Sequence, residues 1–134
     1  MKLIFAKSFY TALLAASLLL LSQVATAHHS KALQFDMNSE IVVVGTIIEL
    51  EWRNPHAWLN IEAENEHGEN EIWRIEFSSA NSLLRRGWRP ADIPIGAEIT
   101  VHGLPPRDGS RTVDGEQVTL PDGRSLMAGS REGY

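Results

Sequence analysis

Beyond residue 40 the apolar positions recur every second residue along most of the chain. From Val44 onward, Val44, Thr46, Ile48, Leu50 and Trp52 fall on one side, and Gly45, Ile47, Glu49 and Glu51 on the other. A period of two predicts a strand with one face in the core. It runs over Ile41–Trp52, with the first set facing inward. Ile41–Val44 is apolar on both sides, which predicts an end covered on both. Gly45 in mid-strand predicts a bulge or sharp bend. Asn54-Pro55 is turn chemistry, because proline fixes φ and restricts the residue before it. His56–Ala63 alternates again, with Ala57, Leu59, Ile61 and Ala63 against His56, Trp58, Asn60 and Glu62. A polar hairpin loop with Gly68 leads to a third strand, Glu71–Phe77, whose Trp73, Ile75 and Phe77 share a face.

The period then changes. Ser78-Ser79 is suited to cap a short helix that runs to about Arg86 and stops at Gly87, with Leu83 and Leu84 buried. Gly96–Leu104 predicts a fourth strand with Ala97, Ile99 and Val101 facing in. Pro105–Gly115 reads as one long turn. Gln117–Leu120 and Arg124–Met127 flank Pro121-Asp122-Gly123 as a terminal hairpin. Residues 128–134 read as a frayed end. Three strands, a short helix and two or more strands is the element order of a five-stranded OB-like β-barrel, over residues 41–127. The alternative is an open β-sandwich with the helix as an insertion.

The first 27 residues read differently. Lys2 and Lys7 precede an apolar run, and Ala25-Thr26-Ala27 supplies the small residues of a cleavage site. This is the pattern of a secretory signal peptide. Its apolar core of about ten residues is short of the roughly 20 that span a bilayer. Cleavage would leave 107 residues with ten basic against seventeen acidic side chains, a net charge of −7 with histidines neutral. Residues 28–40 then form an extended arm, with Phe35 placed to dock on the barrel. The implied compartment is periplasmic or secreted, with no membrane span after cleavage. The acidic balance speaks against nucleic-acid binding, which needs a basic patch.

The chain has no cysteine. Disulfides, thiolate metal sites and cysteine nucleophiles are therefore excluded. The serines sit in no nucleophile-elbow pattern, and His-Glu-x-x-His and phosphate-binding glycine motifs are absent. No carboxylate pair stands out for acid/base work. The expectation is a protein that binds and does not catalyse.

Several segments together resemble one family. They are His28-His29-Ser30, Gly45-Thr46, Glu51-Trp52-Arg53-Asn54-Pro55-His56, Trp73, Leu84 with Arg86-Gly87-Trp88, and Gly103 through Gly109. The Trp52-to-His56 segment is the most specific. The resemblance is to DUF6152, a family of small exported bacterial proteins of unknown function. It implies an exported β-rich domain and brings no activity with it.

Two constellations remain as candidate sites. The first is metal-binding. Processing would give His28 a free α-amine, which with its own imidazole Nδ1 can chelate one ion. Nitrogen donors in a plane suit Cu(II), and an amine of pKa roughly 7.7–8.0 competes weakly with protons. His29, His56 and His102 are the candidate further ligands, with His56 and His102 brought near each other by the barrel. The second is a contact surface of Arg53, Trp58 and Arg74 for a glycan, a peptide or an envelope protein, on the face of strands two and three that OB barrels use for ligands.

Overall fold

A computed structural model of the chain describes residues 31–128. Residues 31–34 are helical. The compact unit that starts at Phe35 holds six strands and a short helix. The strands are β1 (Ile41–Glu51), β2 (Trp58–Glu64), β3 (Asn70–Glu76), β4 (Glu98–Leu104), β5 (Thr112–Thr119) and β6 (Ser125–Met127); the helix, α1, spans Ala80–Arg85. They form one sheet in the order β3-β2-β1-β4-β5-β6. A parallel pairing of β3 with β5, Arg74 to Thr112 through Glu76 to Asp114, closes the first five into a barrel. The helix lies between β3 and β4 in the chain. This is the five-stranded OB arrangement, and the open sandwich is set aside. Strand β6 adds a hairpin onto β5.

The core is a single cluster. Leu59, Ile61, Ile75, Val101, Val113 and Val118 from four strands are fully buried, with Leu83 from α1 and Trp88 after it. The alternation predicted for β2 holds through Ala57, Leu59, Ile61 and Ala63. Trp88 packs on Phe77 with ring centroids 5.3 Å apart, and its Nε1–H donates to the Met127 carbonyl at 3.0 Å. Trp88 is thus a core aromatic whose polar atom is satisfied.

Three expectations need correction. In β1 the inward face is Val43, Gly45 and Ile47, while Val44 and Ile48 are 51 % and 41 % exposed. The cause is a bulge. Ile47 pairs with Ile61, but the next pair is Glu49 with Asn60, so one residue is extra. The face flips there, and Leu50 and Trp52 pack against the core as expected. Gly45 does not make the bulge. It is where β2 crosses closely: a Cβ on it would lie 2.6 Å from the Glu62 carbonyl oxygen.

The second correction is Leu84, which is 38 % exposed. Helix α1 has six residues, so one turn presents only Ala80 and Leu83 to the core. Ser79 caps it and Gly87, at φ 92°, ends it, both as expected. The third is the stretch after residue 111. Thr112 to Gly115 is strand and not turn, buried between β3 and β4. Its Asp114 and Gly115 hide the strand pattern. Gly115 is required there, because a Cβ would come within 2.2 Å of the Phe77 ring.

The arm docks through Phe35, which is buried and bridges to Pro106. The Asp36 amide donates to Pro105 O at 2.9 Å, and Arg107 Nε donates to Phe35 O at 3.0 Å. Ser39 Oγ and the Asn38 amide both donate to the Asp36 carboxylate, holding its pKa below the usual aspartate range, with Ser39 the larger cause.

Candidate functional site

The outer surface of β1, β2 and β3 carries two adjacent rows set by register. Glu51, Trp58 and Glu76 form one, and Glu49, Asn60 and Arg74 the other. Side chains on one sheet face at neighbouring positions are within contact distance. Here they interlock. The Glu51 carboxylate takes Arg53 Nη2 on one oxygen at 2.6 Å and Arg74 Nη2 on the other at 3.1 Å. The Arg74 guanidinium then lies over Trp58, with Cζ 4.1 Å from the ring centroid, in a cation–π contact. Beside it Asn60 Nδ2 donates to Glu49 Oε2 at 2.6 Å.

The loop that carries Arg53 is pinned by α1. The Ala80 amide donates to Arg53 O at 3.1 Å, and the Asn81 amide to Asn54 Oδ1 at 3.3 Å. The Ser82 amide goes to Ser79 Oγ at 3.2 Å. The amides of the helix's first turn, which have no partner inside the helix, are thus satisfied from this loop and the cap. The peptide bond between Asn54 and Pro55 is cis. Downstream, the Ala57 amide donates to Ser78 O and the Phe77 amide to Ala57 O. The segment Trp52 to His56 is therefore a strap between the barrel and the helix, and it sets the position of Arg53 at the edge of the Trp58 face.

All three residues of the expected contact surface, Arg53, Trp58 and Arg74, come together. Glu51, which joins them, and Asn54, which anchors the strap, were not singled out from sequence. Glu51 had part of the signal, a parity that puts it outside two residues before Arg53; its link to Arg74 comes from the pairing of β1 with β2. The histidines are not brought together. His56 Nδ1 is 2.8 Å from Glu76 Oε1 at the start of β2, and His102 Nδ1 is 3.0 Å from Glu40 Oε1 on β4. His102 pairs opposite Val42, whereas the strap that carries His56 begins past Glu51. Nine residues, about 30 Å of strand, separate those two points along β1. His28 and His29 lie outside the described residues. Among the described residues no group of three or more His, Asp or Glu could hold a metal ion. No helix among them is long and apolar enough to cross a membrane.

At the far end of β3, Arg111 Nε binds Glu71 Oε2 at 2.7 Å and ties the loop before β5 to the sheet. That hydrogen bond, with a second from Asn65, holds the Glu71 carboxyl below the usual glutamate range. The outer face as a whole carries Glu49, Glu51, Glu62 and Glu76 against Arg53 and Arg74. It is net acidic, and both oxygens of Glu51 are occupied by guanidinium groups. Glu51 is therefore not free to serve as a base.

A closed five-stranded OB barrel with an aromatic–arginine outer face defines the class of this protein. The DUF6152 family model, described as a family of unknown function, matches residues 15–115, and the chain belongs to that family. No curated protein matches it in sequence. Among solved structures it is similar to the dimeric structure of the N-terminal domain of PriB protein from Thermoanaerobacter tencongensis. The identity is 18 %, the match covers 62 % of this chain and 96 % of that one, and the TM-score is 0.43. The fold assignment rests on the strand order and the β3–β5 closure.

Proposed function

We propose that the chain is an exported, non-catalytic binding module that engages a protein of the cell envelope through the outer face of β1, β2 and β3. The observation that carries this is the Glu51-bridged pair of arginines with Arg74 laid on Trp58. Tryptophan and arginine are the side chains that most often dominate protein interfaces. Here the guanidinium is oriented before binding, so less rotamer freedom remains to be lost on association. A sugar would need the Trp58 ring face that Arg74 covers, so a protein surface is favoured over a glycan. Binding should be lost in Arg74→Glu and Trp58→Ala chains that keep the native circular dichroism and Tm. Partner capture from envelope extract, followed by titration of the purified partner, tests this. Unchanged affinity in both variants would sink the proposal.

A second reading keeps copper. The rings of His56 and His102 are each oriented by a carboxylate at Nδ1, which is how proteins commonly fix metal-binding imidazoles while leaving Nε2 for the ion. Titration of Cu(II) into protein beginning at His28, against protein with one extra alanine ahead of it, tests the amine–imidazole chelate. Equal affinity in the two removes it.

A further inference from the structure

Among the described residues, strand β1 is paired on one side only along its first half. Ile41 to Gly45 pair with Gly103 back to Ile99 of β4, and pairing with β2 begins at Thr46. Ile47 N–H donates to Ala97 O at 2.9 Å, on the β4 side. By the alternation of an antiparallel ladder, the backbone groups of Val42 and Val44 point the other way, to the open side. Gly45 marks the parting of β1 from β2. Beyond it the strands leave a cleft of about 380 Å³, lined among others by Val44, Thr46, Glu62, Glu64 and Glu98.

This edge lacks the usual protection. Open strands are commonly blunted by charge, proline or a bulge against pairing with other chains. Ile41-Val42-Val43-Val44 has none of these, and its β-branched residues favour an extended partner. Val42 is 52 % exposed, and Ile72, across β2 from Thr46, is 58 % exposed. Around the cleft the charge is of one sign. Glu62, Glu64 and Glu98 form no ion pair among the described residues.

We propose that this edge takes up an extended, cationic segment of a partner protein as an added β-strand. Main-chain bonds to Val42 and Val44 would supply the pairing, as in other cases of strand addition. Lysines or arginines at alternate positions of the partner would meet the three carboxylates on the outer face, their stems lying along Val44 and Ile72 on that same face, and the intervening apolar residues would lie on the opposite face with Val43 and Ala63. A second copy of this chain is disfavoured as occupant, because edge-to-edge pairing would bring three uncompensated carboxylates from each copy together. The edge shares the outer face of β2 with the Arg74–Trp58 cluster but lies at the other end of the strand. Glu62 lies four residues along β2 from Trp58, about 13 Å, and either site can fail without the other.

The test uses an end-capped eight-residue peptide of alternating lysine and valine, added to the purified protein, with amide hydrogen exchange read by NMR. Saturating peptide should slow exchange at Val42 and Val44 at least tenfold. Methylating alternate peptide nitrogens should abolish that protection. Glu62→Lys with Glu98→Lys should weaken binding at least tenfold, and added salt should weaken it as well. Absence of protection at millimolar peptide would overturn the proposal. So would binding that survives N-methylation, which would be charge attraction without strand addition. Protection at these amides without peptide, rising with protein concentration alongside a dimer in sedimentation, would overturn it in favour of a second copy.

Discussion

Single side chains decide both the surface and the packing beneath it. Glu51 bridges two arginines at the surface, yet it is not a large source of stability. Pairs this exposed contribute about 0–1 kcal/mol, so Glu51→Gln should move Tm by only a few degrees. Its effect belongs to recognition: with Arg53 and Arg74 released, partner affinity should fall by more than the stability does. A urea midpoint and a binding isotherm on the same sample separate the two. Gly115 is the opposite case. It contacts no partner, but a methyl group there would press into the Phe77 ring that packs on Trp88. Overpacking a tight core costs about 1–3 kcal/mol, and the ring has little room to retreat. Gly115→Ala should lower stability by about 2–3 kcal/mol in thermal or urea unfolding and leave the surface chemistry alone. A variant as stable as the parent would contradict the packing described around Phe77 and Trp88.

The strap and the helix it feeds behave as one element. Asn54 and Ser79 each accept an amide of the first turn of α1. Losing a capping acceptor typically costs about 0.5–2 kcal/mol. Ser79→Ala and Asn54→Ala should each fall in that range. They share one helix turn, so the double variant should depart from additivity, which a double-mutant cycle reads directly. The strands most visible in sequence were those with a clean alternation and one wet face: β2, β3 and β4 all follow it. The helix cap and stop were equally legible, because Ser79 and Gly87 do what those residues do in any context. Two features were not. The β1 bulge leaves no mark, since Ile47, Ile48 and Leu50 are apolar on either parity. The first half of β5 was hidden because two of its three buried positions hold Asp114 and Gly115, and Gly115 is set by the closeness of Phe77 and Ile75 and not by hydrophobicity. The contact surface was partly legible. Arg53, Trp58 and Arg74 could be placed outside by parity, but that Glu51 links them depends on the pairing of β1 with β2, which no local pattern encodes.

At the scale of the molecule, the barrel is held closed by a short parallel pairing of β3 with β5, and the Arg111–Glu71 pair sits next to that seam. Because the folded state lowers the Glu71 pKa, the contribution of this group is present above the ordinary glutamate pKa of roughly 4.3 and is lost as pH falls through the lower folded value. Asp36, with its two local donors, behaves with the same sign. Glu71→Gln should therefore be less stable than the parent near neutrality, and the gap should close as the solution is acidified below the usual glutamate range. A gap that stays constant across that range would assign the pair no role in acid unfolding.

In the function proposed, the barrel is a rigid frame that presents an arginine laid on a tryptophan to a protein partner. The most direct measurement is affinity capture from the host envelope with the native chain and with Arg74→Glu in parallel. Captured proteins are quantified by mass spectrometry, and the interaction is then repeated by calorimetry with the purified partner. The account predicts at least one protein that is enriched by the native chain, depleted at least tenfold by the variant, and bound directly in calorimetry with the same loss. An identical set of captured proteins at identical yield from two equally folded chains would contradict it.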